Sequence, residues 1–232
     1  MPEPTIPPSP PTAPPTTVKK KRATQDQALA NFITTESTRL QAATENPNLA
    51  PHLTRRGISP TVLASGIALG AALQDSFTER QRKQEADDNG LHAIAETRKI
   101  AREIFSLYRD TVRLAYPGSP SARAALGATG RFPQDDDTFL SAATAAYAIA
   151  GDSAHAATLA AVGFGASEHA AAVSTLTDFA AVRAAYPAVH AAMLQATAQR
   201  DRAATAFKTW MTTYNRAVRL ISREHPELAV RL

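Results

Sequence analysis

From Thr24 to the C-terminus, no stretch alternates apolar and polar residues over the length of a strand. That excludes the sheets that set one face against a core and the other against water. What recurs instead is a helical period. Phe207, Trp210, Tyr214, Val218 and Ile221 are spaced three, four, four and three apart, as one buried helix face requires. Ala, the strongest helix former, is abundant, and Gly and Pro cluster at the breaks. The chain is therefore expected to be all-α.

The helix boundaries follow from local chemistry. A first helix runs from about Thr24 to Glu45, with Leu29, Phe32, Ile33, Leu40 and Ala43 on one stripe, and "NPNLAP" stops it. Ser59-Pro60 is a start signal, Ser capping and Pro at the first helical position. The helix it opens turns Val62, Leu63, Ile67, Leu69 and Leu73 inward, and Gly66 and Gly70 mark a close helix crossing. Residues 78–90, "TERQRKQEADDNG", lack an apolar stripe and read as a loop or as an exposed extension of the helix. A third helix spans about Leu91 to Ala115, with Leu91, Ile94, Ala101, Ile104, Phe105, Tyr108 and Val112 as core, followed by one short turn near Pro120–Leu126. Further helices are expected at about 137–150, 152–162 and 167–185, and a long one reaches Arg223 from about Pro187 or Ala198.

A shift of about 106 positions superposes Gly57 on Gly163, Tyr108 on Tyr214, "VRL" at Val112 on "VRL" at Val218, and Pro120 on Pro226. Aligned residues at helical spacing suggest equivalent core positions in two copies of one unit. The expected organisation is a disordered Pro-rich tail over residues 1–23, one up-down helical bundle over 24–130, and a related one over 131–232. The pattern from Thr197 to Arg202, then Trp210 and Tyr214 with "AVRL", then "PEL" before a closing "RL", resembles a group of uncharacterised bacterial helical-bundle proteins. The resemblance covers mainly residues 91–127 and 195–232. It implies an all-α fold and a bacterial origin, and brings no activity with it.

Charge is unevenly placed. Residues 1–22 carry Lys19, Lys20, Lys21 and Arg22 against Glu3, and residues 200–232 carry seven basic and three acidic groups, so the body between is mildly acidic. A dedicated nucleic-acid binder shows a broader basic face. Lys19, Lys20, Lys21, Arg22, Arg216, Arg219 and Arg223 are the candidate contacts to phosphate or to an acidic partner, and the shorter row Arg102, Arg109, Arg113 repeats the theme on the third helix. The plain alternative for both rows is the solvated face of an amphipathic helix.

No constellation points to catalysis. The absence of Cys removes disulfides and thiolate chemistry. No Glu-x-x-His motif occurs, so a ferritin-like dimetal centre is not expected, and His155, His169 and His190 read as packing or surface residues. "QDDD" lacks the Gly and terminal Glu of a calcium loop and reads as a helix N-cap through Asp136 or Asp137. No cofactor is expected. The N-terminus has no apolar core of a signal peptide, and no apolar run approaches the roughly 20 residues of a membrane span. The expectation is a soluble cytoplasmic protein that works through protein partners and forms a homo-oligomer, with the Ala-rich segment 142–172 in or beside the interface. Nucleic-acid association through the two basic ends is the second reading, and a helical-bundle enzyme or metal-binding protein the third.

Overall fold

The computed structural model describes residues 17–231, with side chains from Thr24 to Leu228. Most of the expected Pro-rich tail lies outside these residues. Seven α-helices and one closing turn of 3-10 helix follow in order: α1 (Thr17–Glu45), α2 (Ala50–Arg55), α3 (Pro60–Ala115), α4 (Pro120–Ala125), α5 (Asp136–Ala150), α6 (Ser153–Ala160), α7 (Ala166–Glu224) and the turn Pro226–Arg231. No strand occurs among the described residues, so the fold is all-helical.

The helix starts obey simple capping chemistry. Ser59 Oγ accepts the amide of Val62 at 3.3 Å and Pro60 occupies the first helical position, and Ser119 and Pro120 repeat this at α4. At α5 the cap is Asp135, whose carboxylate accepts the Thr138 amide at 2.8 Å. The expected caps, Asp136 and Asp137, lie inside the first turn and make ion pairs instead. The short helices α2 and α6 end alike. Gly57 (φ 82°) and Gly163 (φ 90°) take the left-handed conformation that costs other residues energy. The next amides, of Ile58 and Phe164, then reach back to the carbonyls of Leu53 and Leu159.

Residues 78–90 are helical, the second of the two readings open for them, so α3 is one helix of 56 residues. The expected break before Pro187 is absent, and α7 runs for 59 residues with Pro187 inside it. At 1.5 Å per residue each exceeds the roughly 30 Å of a small core, and each serves two. The described residues accordingly divide into two compact units. The first takes in α1, α2, α3 as far as Thr78, and α7 from Gln199 onward; the second is Glu79–Ala198. The expected boundary at 130/131 falls inside the second unit, because the two long helices each pass from one core to the other.

In the first unit, α1 and the end of α7 run in the same direction, since Asp26 pairs with Arg200, Phe32 meets Phe207 edge-on and Arg39 reaches Asn215. The start of α3 packs against both, where Gly70 admits Ser37 and Phe207 and Gly66 admits Trp210. Leu40, Leu53, Leu73, Phe207 and Tyr214 fill the centre. In the second unit α5 runs with α3 and against α7: Phe139 meets Phe105 on one side and Phe179 on the other. Tyr108, Tyr147, Leu126 and Leu159 complete that core. The expected core residues Ile67 and Leu91 are 40% and 50% exposed.

Burial raises the phenol pKa of Tyr108, Tyr147 and Tyr214 above its ordinary value. The unfolded chain releases these protons near pH ~10 while the folded chain holds them. Their contribution to stability is thus complete below that pH and is lost as pH rises through the interval up to the folded values. Urea midpoints measured from pH 9 to 11.5 are expected to fall steadily, and less steeply in Tyr147→Phe.

Candidate interaction surfaces

The end of α7 turns Phe207, Met211, Tyr214, Val218 and Ile221 into the first unit's core, so the opposite side of the helix faces water. Arg216, Arg219 and Arg223 stand there, all exposed, around a depression of about 350 Å³ completed by Thr212, Asn215 and Leu220. None of the three guanidinium groups makes an ion pair among the described residues, whereas neighbouring Arg200 is held by Asp26 and Asp201. Lys19, Lys20, Lys21 and Arg22 fall in the first turns of α1, and their side chains lie outside the described residues. The parallel register sets Arg216 level with the residue after Arg39, because Arg39 meets Asn215. The two basic groups are therefore separated by roughly 25 Å of helix at 1.5 Å per residue.

The second basic row behaves differently from either sequence reading. Arg109 is 4% exposed and donates to the carbonyls of Thr129 and Gly130, both at 2.8 Å. Arg102 donates to the carbonyls of Pro133 and Gln134 and lies over the Phe139 ring, 5.0 Å from its centroid. Arg113 donates to Ala128 O at 3.2 Å, and Arg98 pairs with Asp136. These arginines bind the connection between α4 and α5 onto α3, satisfying carbonyls that no regular element would reach. Arg102 and Arg109 are committed to the fold in this way.

Two features were missed. Arg80 and Asp87 are buried on α3 at 3% and 4% exposure, in a row with Ile94, Ala101 and Tyr108 at seven-residue intervals. Asp87 Oδ1 meets His190 Nδ1 at 3.0 Å, and the Tyr186 ring lies tilted beside the same imidazole, 3.5 Å from its hydroxyl to Nδ1. The polar members of that row hid its inward face. About 100° around α3 from Ala101 and Tyr108 lie Ile100, Leu107 and Leu114, exposed by 46%, 68% and 69%. Glu96, Glu103 and Asp110 flank them, each four residues before one of the aliphatics.

The remaining histidines of interest are packed: His169 Nε2 lies 2.8 Å from Tyr147 O and His155 Nδ1 lies 2.9 Å from Tyr116 Oη. No group of three His, Asp or Glu side chains that could hold a metal occurs among the described residues. The Ala-rich segment divides in two. Ala143, Ala146, Ala150 and Ala172 are inside the second unit's core, whereas Ala157 and its neighbours face water. A groove of about 390 Å³ opens between α5 and α7, lined by Leu140, Thr144, Ala148, Val173, Leu176 and Thr177 among others. An open groove of about 710 Å³ separates α1 from the start of α3 in the first unit, with Thr34, Thr38, Ile67, Gly70 and Ala71 among its walls.

No described helix is long and apolar enough to cross a membrane. No family model, curated protein or solved structure matches the chain.

Proposed function

We propose that the chain is a non-catalytic, cytoplasmic protein-interaction protein made of two copies of one helical unit, and that it self-associates. The observation that carries this is the row Ile100, Leu107, Leu114. Three large aliphatics at seven-residue spacing on α3 stand exposed by 46%, 68% and 69%, outside both cores of the described residues. Apolar side chains arranged in this way are the usual mark of a helix that meets a partner.

The duplication is supported by the equivalence of parts under a shift of about 106 residues. Ile33, Leu53, Leu73, Phe105 and Tyr108 fall on Phe139, Leu159, Phe179, Met211 and Tyr214, all ten of them buried. The Gly57 and Gly163 turns coincide, with the same hydrogen bonds. Thr34, Thr38, Ile67, Gly70 and Ala71 of one groove fall on Leu140, Thr144, Val173, Leu176 and Thr177 of the other. In this reading each unit consists of the first helices of one copy and the closing helix half of the other, exchanged through α3 and α7.

A second reading, association with nucleic acid, is favoured by Arg216, Arg219 and Arg223, which are exposed and make no ion pair among the described residues. It requires an affinity that falls steeply with salt.

Light scattering of the full chain at micromolar concentration and above is expected to give a multiple of 24.6 kDa. A mass of 24.6 kDa throughout removes self-association. Ala157→Glu probes whether the exposed side of α6 takes part; Ala146→Glu cannot, because Ala146 is inside the core.

A further inference from the structure

We infer that the aliphatic face of α3 in one molecule docks on the arginine face of α7 in a second copy of the chain, the two helices antiparallel. The inference rests on the self-association proposed above and names its surfaces.

The two faces share a layout with the charge reversed. On α3, Glu96, Glu103 and Asp110 each precede an exposed aliphatic by four residues: Ile100, Leu107 and Leu114. On α7, Arg202, Thr209 and Arg216 precede Ala206, Thr213 and Leu220 by the same four, and Arg223 continues the row. Glu96 and Glu103 make no ion pair among the described residues, and neither do Arg202, Arg216 and Arg223; Asp110 is taken by Arg113 at 2.5 Å. Lys99 lies on the far side of the carboxylates from the aliphatic row.

Charge then selects the pairing. Two α3 faces would oppose carboxylates to carboxylates, and two α7 faces arginines to arginines, whereas one of each opposes unlike charges. Direction follows from what is available. In a parallel pair, the charged flank of one helix meets the opposite flank of the other. On α3 and α7 that flank is Ala101 and Tyr108 or Phe207 and Tyr214, which are buried in their own cores. An antiparallel pair brings the two charged flanks together. In that direction, Leu114 meets Ala206, Leu107 meets Thr213 and Ile100 meets Leu220, so the most exposed leucines face the smallest residues. Glu96 then faces Arg223 and Glu103 faces Arg216. Asp110, already paired, faces the uncharged Thr209. The depression beside Arg216, Arg219 and Arg223 receives the carboxylate side chains.

The test uses the full chain and two exposed double variants, Glu96→Arg/Glu103→Arg and Arg216→Glu/Arg223→Glu, in sedimentation velocity at about 50 and 500 mM salt. The unaltered chain is expected to associate, more weakly at the higher salt, and each variant to bind itself at least ~100-fold more weakly with unchanged helical circular dichroism. An equimolar mixture of the two variants is expected to associate again, because each then offers the charge the other lost. An unaltered chain that stays at 24.6 kDa overturns both this inference and the self-association beneath it. Variants that associate as well as the unaltered chain overturn the inference alone, and so does a mixture that fails to recover. A DNA or RNA mobility shift lost in Arg216→Glu/Arg223→Glu, with the oligomer intact, assigns the arginines to phosphate and overturns it too.

Discussion

Tyr108→Ala and Tyr214→Ala are each expected to lower the free energy of unfolding by about 3–5 kcal/mol, the range of large aromatic truncations in a packed core. Both rings are 1% exposed. Tyr108 lies 5.0 Å from the Tyr147 and Phe164 ring centroids, and Tyr214 stacks on Trp210 at 5.5 Å. Neither cavity can collapse easily, because each ring is gripped by helices that also carry the rest of its unit. The two positions are expected to part company on loss of the hydroxyl alone. Tyr108 Oη donates within a pair of carbonyls, Leu126 O at 3.1 Å and Ala146 O at 3.2 Å, which ties the end of α4 and the middle of α5 to α3. Tyr108→Phe leaves those buried acceptors short of a donor and is expected to cost about 1–3 kcal/mol. Tyr214→Phe is expected to change the urea midpoint little. Equal midpoints for the two Phe variants would contradict the bonding described, and an unaffected midpoint in either Ala variant would contradict the equivalence of the two positions in a duplicated unit.

The sequence made some of this legible and hid the rest for identifiable reasons. The Ser-Pro start at α3, the short turn at Pro120 and the aromatic stripe of α7 are local signals, and they were read at the right residues. The continuity of α3 through residues 78–90 depends on features that carry no hydrophobic period. Glu79 pairs with Arg82 and Lys83 one turn on, Gln84 reaches Asp88, and the inward positions hold Arg80 and Asp87. Pro187 looked like a helix start because Pro is at home there; inside α7 it costs one hydrogen bond, and the flanking turns continue regardless. The arginines of α3 looked solvated because their partners are main-chain carbonyls of a distant connection, which no side-chain pattern announces. The bounds of the compact units differ from the expected bounds of the repeat for a related reason. A helix that leaves one core and enters another looks, residue by residue, like a helix that stays.

Gly66→Ala is expected to destabilise the first unit by about 2 kcal/mol or more, against the usual sign for Gly in a helix. In an exposed helix interior Ala is favoured over Gly by roughly 1 kcal/mol. Here a Cβ would stand 2.3 Å from Cη2 and Cζ2 of Trp210. No rotation of a methyl relieves a contact that short, so the indole must shift, and it is held between α3 and the Tyr214 ring, stacked at an interplanar angle of 13°. Overpacking of this kind costs about 1–3 kcal/mol before the loss of the stacked pair is added. Gly70 gives a graded comparison, since a Cβ there would meet Ser37 Oγ at 3.2 Å and Phe207 at 3.3 Å. Gly70→Ala is expected to cost less, because Ser37 can turn aside. The cause is separable by a double-mutant cycle. Trp210→Leu alone loses buried ring area, but in its presence Gly66→Ala is expected to become neutral or stabilising, giving a coupling of about 2 kcal/mol or more. Additive effects would mean that the indole does not fill the space the missing side chain leaves, and that Gly66 serves the helix crossing in some other way.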